Sequence, residues 1–85
     1  SFTEFKTNYS LFLQKRDEEN FRRAGHKIKP VAQMLGLNSI VDEYENAKKI
    51  IWEEKPDSDI QSSIIKMDKT CNQVLNELEN ISSNE

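Results

Sequence analysis

The sequence predicts an all-α domain built as an up-down-up-down four-helix bundle, with helices near residues 2–14, 18–35, 39–55 and 59–81. Three observations lead to this prediction. Apolar residues recur at three- and four-residue steps in every long segment, and no segment alternates like a strand. The linkers between these segments are short and polar. The chain has 85 residues, the size of one domain, so residues 1–85 form a single unit.

The first two helices are defined by their apolar stripes and by the residues at their ends. The first stripe consists of Phe2, Phe5, Tyr9 and Phe12, with Leu13 beside them. The second consists of Phe21, Ala24, Ile28, Val31, Ala32 and Leu35. Asp17 is a suitable N-cap for the second helix. Gly36 is expected to end it, because glycine is common just beyond a helix C-terminus.

The last two helices follow the same pattern. Asn38 or Ser39 can cap the third helix, and Pro56 prevents it from extending much beyond Lys55. Its stripe is Ile40, Val41, Tyr44, Ala47 and Ile51, flanked by Ile50 and Trp52. Ser58 and Gln61 match a capping box for the fourth helix. The fourth stripe is Ile60, Ile64, Met67, Cys71, Val74, Leu78 and Ile81. We interpret all four stripes as bundle core.

Composition excludes several classes of function. A net charge of −3 argues against nucleic-acid binding, which needs a basic surface. No apolar run approaches the roughly 20 residues of a transmembrane helix, so we expect no membrane contact by this segment. The single cysteine, Cys71, excludes an internal disulfide and fits a cytoplasmic compartment. Because the sequence begins at Ser1, we expect it to be excised from a longer chain, where any membrane anchor would lie.

The charge is unevenly distributed along the chain. Residues 15–29 contain six basic and three acidic side chains, a local charge of +3. Residues 42–59 contain seven acidic and three basic side chains, a local charge of −4. The only histidine, His26, therefore lies in the one basic segment of an acidic domain.

His26 is predicted to face solvent. At about 100° per residue it lies nearly opposite the apolar stripe of the second helix. Lys29 and Arg22 lie one turn away on either side, and Gln33 lies a further turn along. A metal site is not expected, because the chain has no second histidine and no acid follows His26 by one turn. An exposed surface histidine without a function remains an alternative.

One chemistry suits this arrangement. A neutral imidazole is a good nucleophile near neutral pH. If it accepts a phosphoryl group, nearby cations such as Lys29 can stabilise the charged oxygens, and Gln33 can donate a hydrogen bond. A phosphoryl donor carried on another protein requires an exposed histidine and no pocket.

The segment from Ala24 to Gly36 resembles the signature of histidine-containing phosphotransfer (HPt) domains, including those of bacterial hybrid two-component sensor kinases. That signature is a histidine, any residue, an aliphatic residue, a lysine, a small residue and a later aliphatic–glycine pair. The matching positions are His26, Ile28, Lys29, Leu35 and Gly36. Arg22 and Arg23 resemble the residues that usually precede the histidine in this family. The motif covers about 15 residues, and the four-helix pattern extends the agreement over nearly the whole chain.

The resemblance implies a phosphorelay intermediate, a carrier without ATP-binding or kinase machinery. His26 would accept a phosphoryl group from a receiver-domain aspartyl phosphate and pass it to another receiver, and Lys29 would stabilise it. Receivers would dock on a face formed by Arg22, Arg23, Pro30 and Gln33, with Gly36 ending the helix. The domain would need no cofactor, because the magnesium used in transfer belongs to the receiver. We expect it to act as a monomer.

Pro30 departs from the family pattern, which usually has glycine at this position. Proline lacks an N–H, so the His26 carbonyl loses its helical partner, at a cost of about 3 kcal/mol. Either receiver docking is altered, or the chain belongs to a variant group with proline here. We favour the second interpretation.

Two alternatives compete with the relay function. The first is a histidine kinase dimerisation domain, which also places a histidine before a proline but builds four helices from two chains. The second is a helical interaction module in which His26 has no chemical role. The sequence identifies neither the cognate receiver nor the signal.

Overall fold

The computed structural model describes residues 2–83, and the side chains of residues 2–77. Within this range the chain forms four helices, α1 (Phe2–Gln14), α2 (Glu18–Met34), α3 (Asn38–Trp52) and α4 (Asp57–Ser83). Helix α1 packs against α2 and α4, and α3 packs against the same two helices. Each helix therefore contacts its neighbours in the chain, and α4 closes the ring against α1. The predicted up-down four-helix bundle is confirmed.

The core is formed by most of the predicted stripe residues. Phe12, Val41 and Ile51 are only partly buried against it, and Ile50, predicted to flank the third stripe, is fully part of the core. Its buried apolar residues are Phe2, Phe5, Tyr9, Leu13, Phe21, Ala24, Ile28, Ala32, Ile40, Tyr44, Ala47, Ile50, Ile60, Ile64, Met67, Cys71 and Val74. Val31 and Leu35 were expected in the core but are 42% and 51% exposed. Val31 lines a surface depression with Phe2, the first described residue of α1, so it lies at the edge of the core rather than within it. Leu78 and Ile81 lie outside the described side chains.

The first three helices end in the same hydrogen-bonded motif. After α2, the Leu37 N–H donates to the Ala32 carbonyl at 2.8 Å, and the Gly36 N–H donates to Gln33 at 3.2 Å. This is a Schellman motif, which requires a left-handed residue just beyond the helix. Gly36 supplies it with φ of 72°, as the sequence predicts, whereas Arg16 (φ 54°) and Glu54 (φ 51°) take this conformation after α1 and α3. Because Glu54 turns the chain, α3 ends at Trp52 rather than near Lys55.

Two of the predicted helix starts are wrong in detail. Leu37 is the N-cap of α3 and makes no side-chain cap hydrogen bond, so neither Asn38 nor Ser39 caps it. Helix α4 begins at Asp57, which places Ser58 inside the first turn instead of at the cap. The Asp59 N–H bonds to the Pro56 carbonyl at 3.0 Å, so the chain turns into α4 directly after the proline.

A buried polar cluster joins three of the helices. The hydroxyls of Tyr9 (α1) and Ser63 (α4) lie 2.6 Å apart, and the Ser63 hydroxyl donates to a carboxylate oxygen of Glu43 (α3) at 2.7 Å. The Tyr9 hydroxyl also lies 3.2 Å from the Glu43 backbone carbonyl, so its single proton is shared between that carbonyl and the Ser63 oxygen. No buried side-chain nitrogen or oxygen of the described residues lacks a partner. Every buried polar atom of the cluster therefore has at least one partner, which avoids the large cost of burying an unpaired polar group.

No helix in the described part of the chain combines the length and apolar character needed to cross a membrane.

Candidate functional site

Helix α2 carries the candidate site, and both of its ends are fixed by hydrogen bonds. Asp17 caps the first turn by accepting from the Asn20 N–H at 3.2 Å and from the Asn20 side-chain amide at 2.8 Å. These bonds to Asn20 lower the pKa of the Asp17 carboxyl below its ordinary value. The predicted N-cap is confirmed. Together with Gly36 at the other end, it defines the helix on which the predicted site residues lie.

His26 is exposed on α2, as the helical wheel predicts. It lines a shallow surface depression with Glu18, Glu19, Arg22 and Arg23. The structure therefore brings the histidine together with both predicted arginines. It also adds two acidic side chains that the sequence analysis did not place there, so the surface beside His26 is of mixed charge.

Gly25 sets the position of α3 beside His26, and the sequence analysis gave it no role. Gly25 is buried, and a β-carbon there would overlap the Tyr44 ring. The Tyr44 hydroxyl donates to the Arg22 carbonyl at 3.4 Å, which ties the ring to the backbone of α2. A glycine inside a helix costs roughly 0.5–1 kcal/mol relative to alanine. A glycine within the predicted second helix is therefore a sequence signal for a close contact at this position.

A row of packed aromatic rings leads to this contact. Ring centroids are 5.6 Å apart for Phe5 and Tyr9, 5.0 Å for Tyr9 and Phe21, and 5.2 Å for Phe21 and Tyr44. The row crosses from α1 through α2 to α3 and ends against Gly25. The backbone that carries His26 is therefore held by rigid, buried groups rather than by a loop.

The predicted cations are partly neutralised by ion pairs. Lys29 Nζ lies 3.3 Å from Oε1 of Glu45 on α3. The Arg23 guanidinium lies 2.9 Å from Oε1 of Glu19 on the same helix. Glu45 is not among the site residues predicted from the sequence. Its spacing from Lys48 is a sequence signal for an ion pair within α3, but sequence alone does not show that a lysine of another helix joins this pair.

Glu45 binds two lysines at once. Lys48 Nζ lies 2.9 Å from its Oε2 and 5.3 Å from the centroid of the Tyr44 ring. The hydrogen bond from Lys48, and secondarily that from Lys29, holds the pKa of Glu45 below its ordinary value. Glu45 is therefore a carboxylate at neutral pH and lies between the two cations.

The remaining predicted site residues lie further along α2. Pro30 and Gln33 are both exposed, and the helix continues through Pro30 to Met34. Pro30 therefore does not end α2, although its missing N–H still removes a partner from the His26 carbonyl. Gln33 shares the solvent side with His26, and Gly36 shapes the turn after the helix.

No group of three or more His, Cys, Asp or Glu side chains among the described residues is arranged to hold a metal ion. Comparison with protein-family models gives no match, and comparisons with curated proteins and with solved structures also give no significant match. A functional interpretation of this four-helix domain therefore rests on its own residues.

The arrangement suits attack by an exposed base on a group presented by another molecule. The His26 imidazole is open to solvent, and α2 holds Lys29 about 4.5 Å further along the helix axis. Cys71 is fully buried, so a cysteine–histidine pair is not formed. Burial raises the pKa of its thiol to about 11, which keeps it protonated at neutral pH.

Proposed function

We propose that this domain is a phosphorelay intermediate, which accepts a phosphoryl group on His26 from a receiver-domain aspartyl phosphate and passes it to another receiver. The observation that carries the proposal is an exposed histidine on α2 of a four-helix bundle, with a lysine one turn beyond it. The match of this segment to the HPt signature supports the same function.

The proposed chemistry needs no group beyond those of the two proteins and the receiver's magnesium. An unprotonated nitrogen of the His26 imidazole attacks phosphorus, and a new P–N bond forms. The P–O bond of the aspartyl phosphate breaks, and its electron pair returns to the aspartate as a carboxylate. Lys29 would stabilise the phosphoryl oxygens during this exchange. The reverse reaction on a second receiver releases His26.

One chain supplies all four helices, and this favours the relay domain over a histidine kinase dimerisation domain. The latter needs two chains to complete its bundle. Here the contacts of α1 with α4 close the bundle within one chain. Sedimentation at micromolar concentration separates the two functions: a monomer is expected, and an obligate dimer would support the kinase domain.

The decisive experiment is phosphotransfer from receivers charged with radiolabelled acetyl phosphate in the presence of Mg²⁺. Receivers encoded in the same genome would be tested as a set. The relay function predicts an acid-labile, base-stable phosphate on the wild-type domain and none on His26→Gln. If no receiver labels the domain, or if His26→Gln is labelled equally, the proposal is wrong and a pure interaction module remains.

The contribution of Lys29 can be measured against Lys27, which lies on the same helix but turns toward α1, where it lines a depression with Phe2. We expect Lys29→Ala to slow transfer by ten- to a hundred-fold, because a charge-assisted contact contributes about 1.5–3 kcal/mol. Lys27→Ala should change the rate much less. Equal effects of the two variants would remove Lys29 from the mechanism.

A further inference from the structure

We infer that Glu45 is a positioning residue that competes with the phosphoryl group for Lys29 and so limits how firmly the domain holds that group. This inference rests on the proposed function for its biological meaning, although the contacts behind it do not. Lys29 Nζ lies 3.3 Å from Glu45 Oε1 and is therefore engaged with α3 before any phosphoryl group arrives.

Lys29 can change partners at low cost. Its side chain is 41% exposed and that of Glu45 is 40% exposed, so water screens the pair. Ion pairs of this kind contribute at most about 1 kcal/mol. Lys29 lies roughly 60° around α2 from His26, so the same flexible side chain faces α3 on one side and the histidine on the other.

Glu45 is not left unpaired when Lys29 leaves. Lys48 Nζ holds the other carboxylate oxygen at 2.9 Å and also lies against the Tyr44 ring. Tyr44 is itself packed against Gly25, the residue before His26. Glu45 thus keeps a cationic partner on α3 when Lys29 leaves, so the exchange of Lys29 does not strand a carboxylate without a partner.

A phosphoryl group carries between one and two negative charges near neutral pH and so attracts Lys29 more strongly than one carboxylate does. Phosphorylation of His26 would transfer Lys29 from Glu45 to the phosphoryl oxygens. Glu45 opposes this transfer, which keeps the phosphoryl group available for the next receiver. Glu45→Gln should therefore strengthen the contact between Lys29 and the phosphoryl group.

The contact can be tested without any receiver by phosphorylating His26 with potassium phosphoramidate. A His26 nitrogen attacks phosphorus, the P–N bond of the reagent breaks, and its nitrogen takes a proton and leaves as ammonia. The phosphoryl group is then titrated by ³¹P NMR, because a closer cation lowers its pKa. A residue with only a structural role would not change this titration.

Four variants make the experiment decisive. Glu45→Gln should lower the phosphoryl pKa by roughly half a pH unit relative to wild type, which corresponds to less than 1 kcal/mol. Glu53→Gln is the control, since it removes one exposed carboxylate that follows α3 and is not part of the depression lined by His26. Lys29→Ala should raise the phosphoryl pKa. Adding Glu45→Gln to Lys29→Ala should have no larger effect than Glu53→Gln.

The outcomes for Glu45 and for the relay function are separate. An equal shift in Glu45→Gln and Glu53→Gln, or a Glu45→Gln shift that is as large in the Lys29→Ala background as in the wild type, would overturn the inference. The expected shift without transfer from any receiver would uphold the role of Glu45 and contradict the relay. Failure of phosphoramidate to modify His26 would overturn both, because each needs an imidazole that is open to solvent and nucleophilic.

Discussion

The Tyr44 ring fills the space that a side chain at Gly25 would occupy, and so brings α3 against α2 one residue before His26. Tyr44 is 4% exposed and its ring packs on Phe21 with centroids 5.2 Å apart, so it has little room to move. The position of His26 therefore depends on the contact between the Tyr44 ring and the backbone of Gly25.

Gly25→Ala should therefore destabilise the domain, although alanine is the better helix former. We expect a loss of about 1–2 kcal/mol in the free energy of unfolding, since overpacking costs about 1–3 kcal/mol and helix propensity returns up to about 1. In a Tyr44→Leu background the ring is absent, and the same substitution should become neutral or stabilising. Urea denaturation of the wild type, the two single variants and the double variant gives the sign of the Gly25→Ala effect in each background. A stabilising Gly25→Ala in the wild-type background would contradict the contact.

The turns after α2 and α3 allow a paired test of backbone conformation. Both Gly36 and Glu54 have positive φ, but only Gly36 lacks the β-carbon that penalises this conformation. Nothing lies within 4 Å of a β-carbon built at Gly36, so its substitution tests conformation alone. We expect Gly36→Ala to lower the free energy of unfolding by about 1 kcal/mol and Glu54→Gly to raise it by a similar amount. If both substitutions shift the midpoint of thermal denaturation in the same direction, this explanation is wrong.

Pro30→Ala should stabilise α2, because it restores the N–H that can bond to the His26 carbonyl. The expected gain is about 1–3 kcal/mol in the free energy of unfolding, measured by urea denaturation. Gln33→Ala is a suitable control, since it changes an exposed side chain of the same helix and should alter stability by a few tenths of a kcal/mol. If Pro30→Ala gains no more than Gln33→Ala, the proline is not a local weakness of the helix.

Cys71 should make the domain lose stability in mild alkali. Burial, with a smaller contribution from Asp68, raises its pKa in the folded state to about 11, above the value of about 8.5 in an unfolded chain. The unfolded chain therefore releases its proton first, and stability falls as the pH rises from about 8.5 to 11. Cys71 should account for about 2–3 kcal/mol of this loss, measured as the extra decline of the wild type relative to Cys71→Ala. Tyr9 and Tyr44, whose pKa values burial also raises, destabilise both proteins above about pH 10. If the free energy of unfolding falls equally in the wild type and in Cys71→Ala between pH 8 and 11, this prediction is wrong.

The bounds of α1 and α2 and most of the core could be predicted because period and turn residues are local properties of a sequence. Asp17 and Gly36 mark the ends of α2 through hydrogen bonds with residues close to them in the chain. Val31 and Leu35 show the limit of this reasoning. A helical wheel gives the direction of a side chain, but how far the neighbouring helix extends along it depends on packing.

The candidate site was only partly predictable for a related reason. The exposure of His26 follows from its own helix, and so does the proximity of Lys29. Glu45, which was not predicted as a site residue, and Tyr44, which was predicted only as core, act across the interface between α2 and α3. Their contacts depend on the relative rotation and height of two helices, which no pattern within either helix specifies.

The buried cluster of Tyr9, Ser63 and Glu43 bears on how the domain would pass on a signal. Sliding α4 by one turn, about 5.4 Å, would separate the Ser63 hydroxyl from both of its partners inside the core. Each polar group left without a partner would cost about 1–3 kcal/mol. Sliding or twisting a helix is therefore an unfavourable way to transmit a signal through this bundle. Under the proposed function, information would travel as a chemical group passed from one protein to the next, while the carrier keeps its shape.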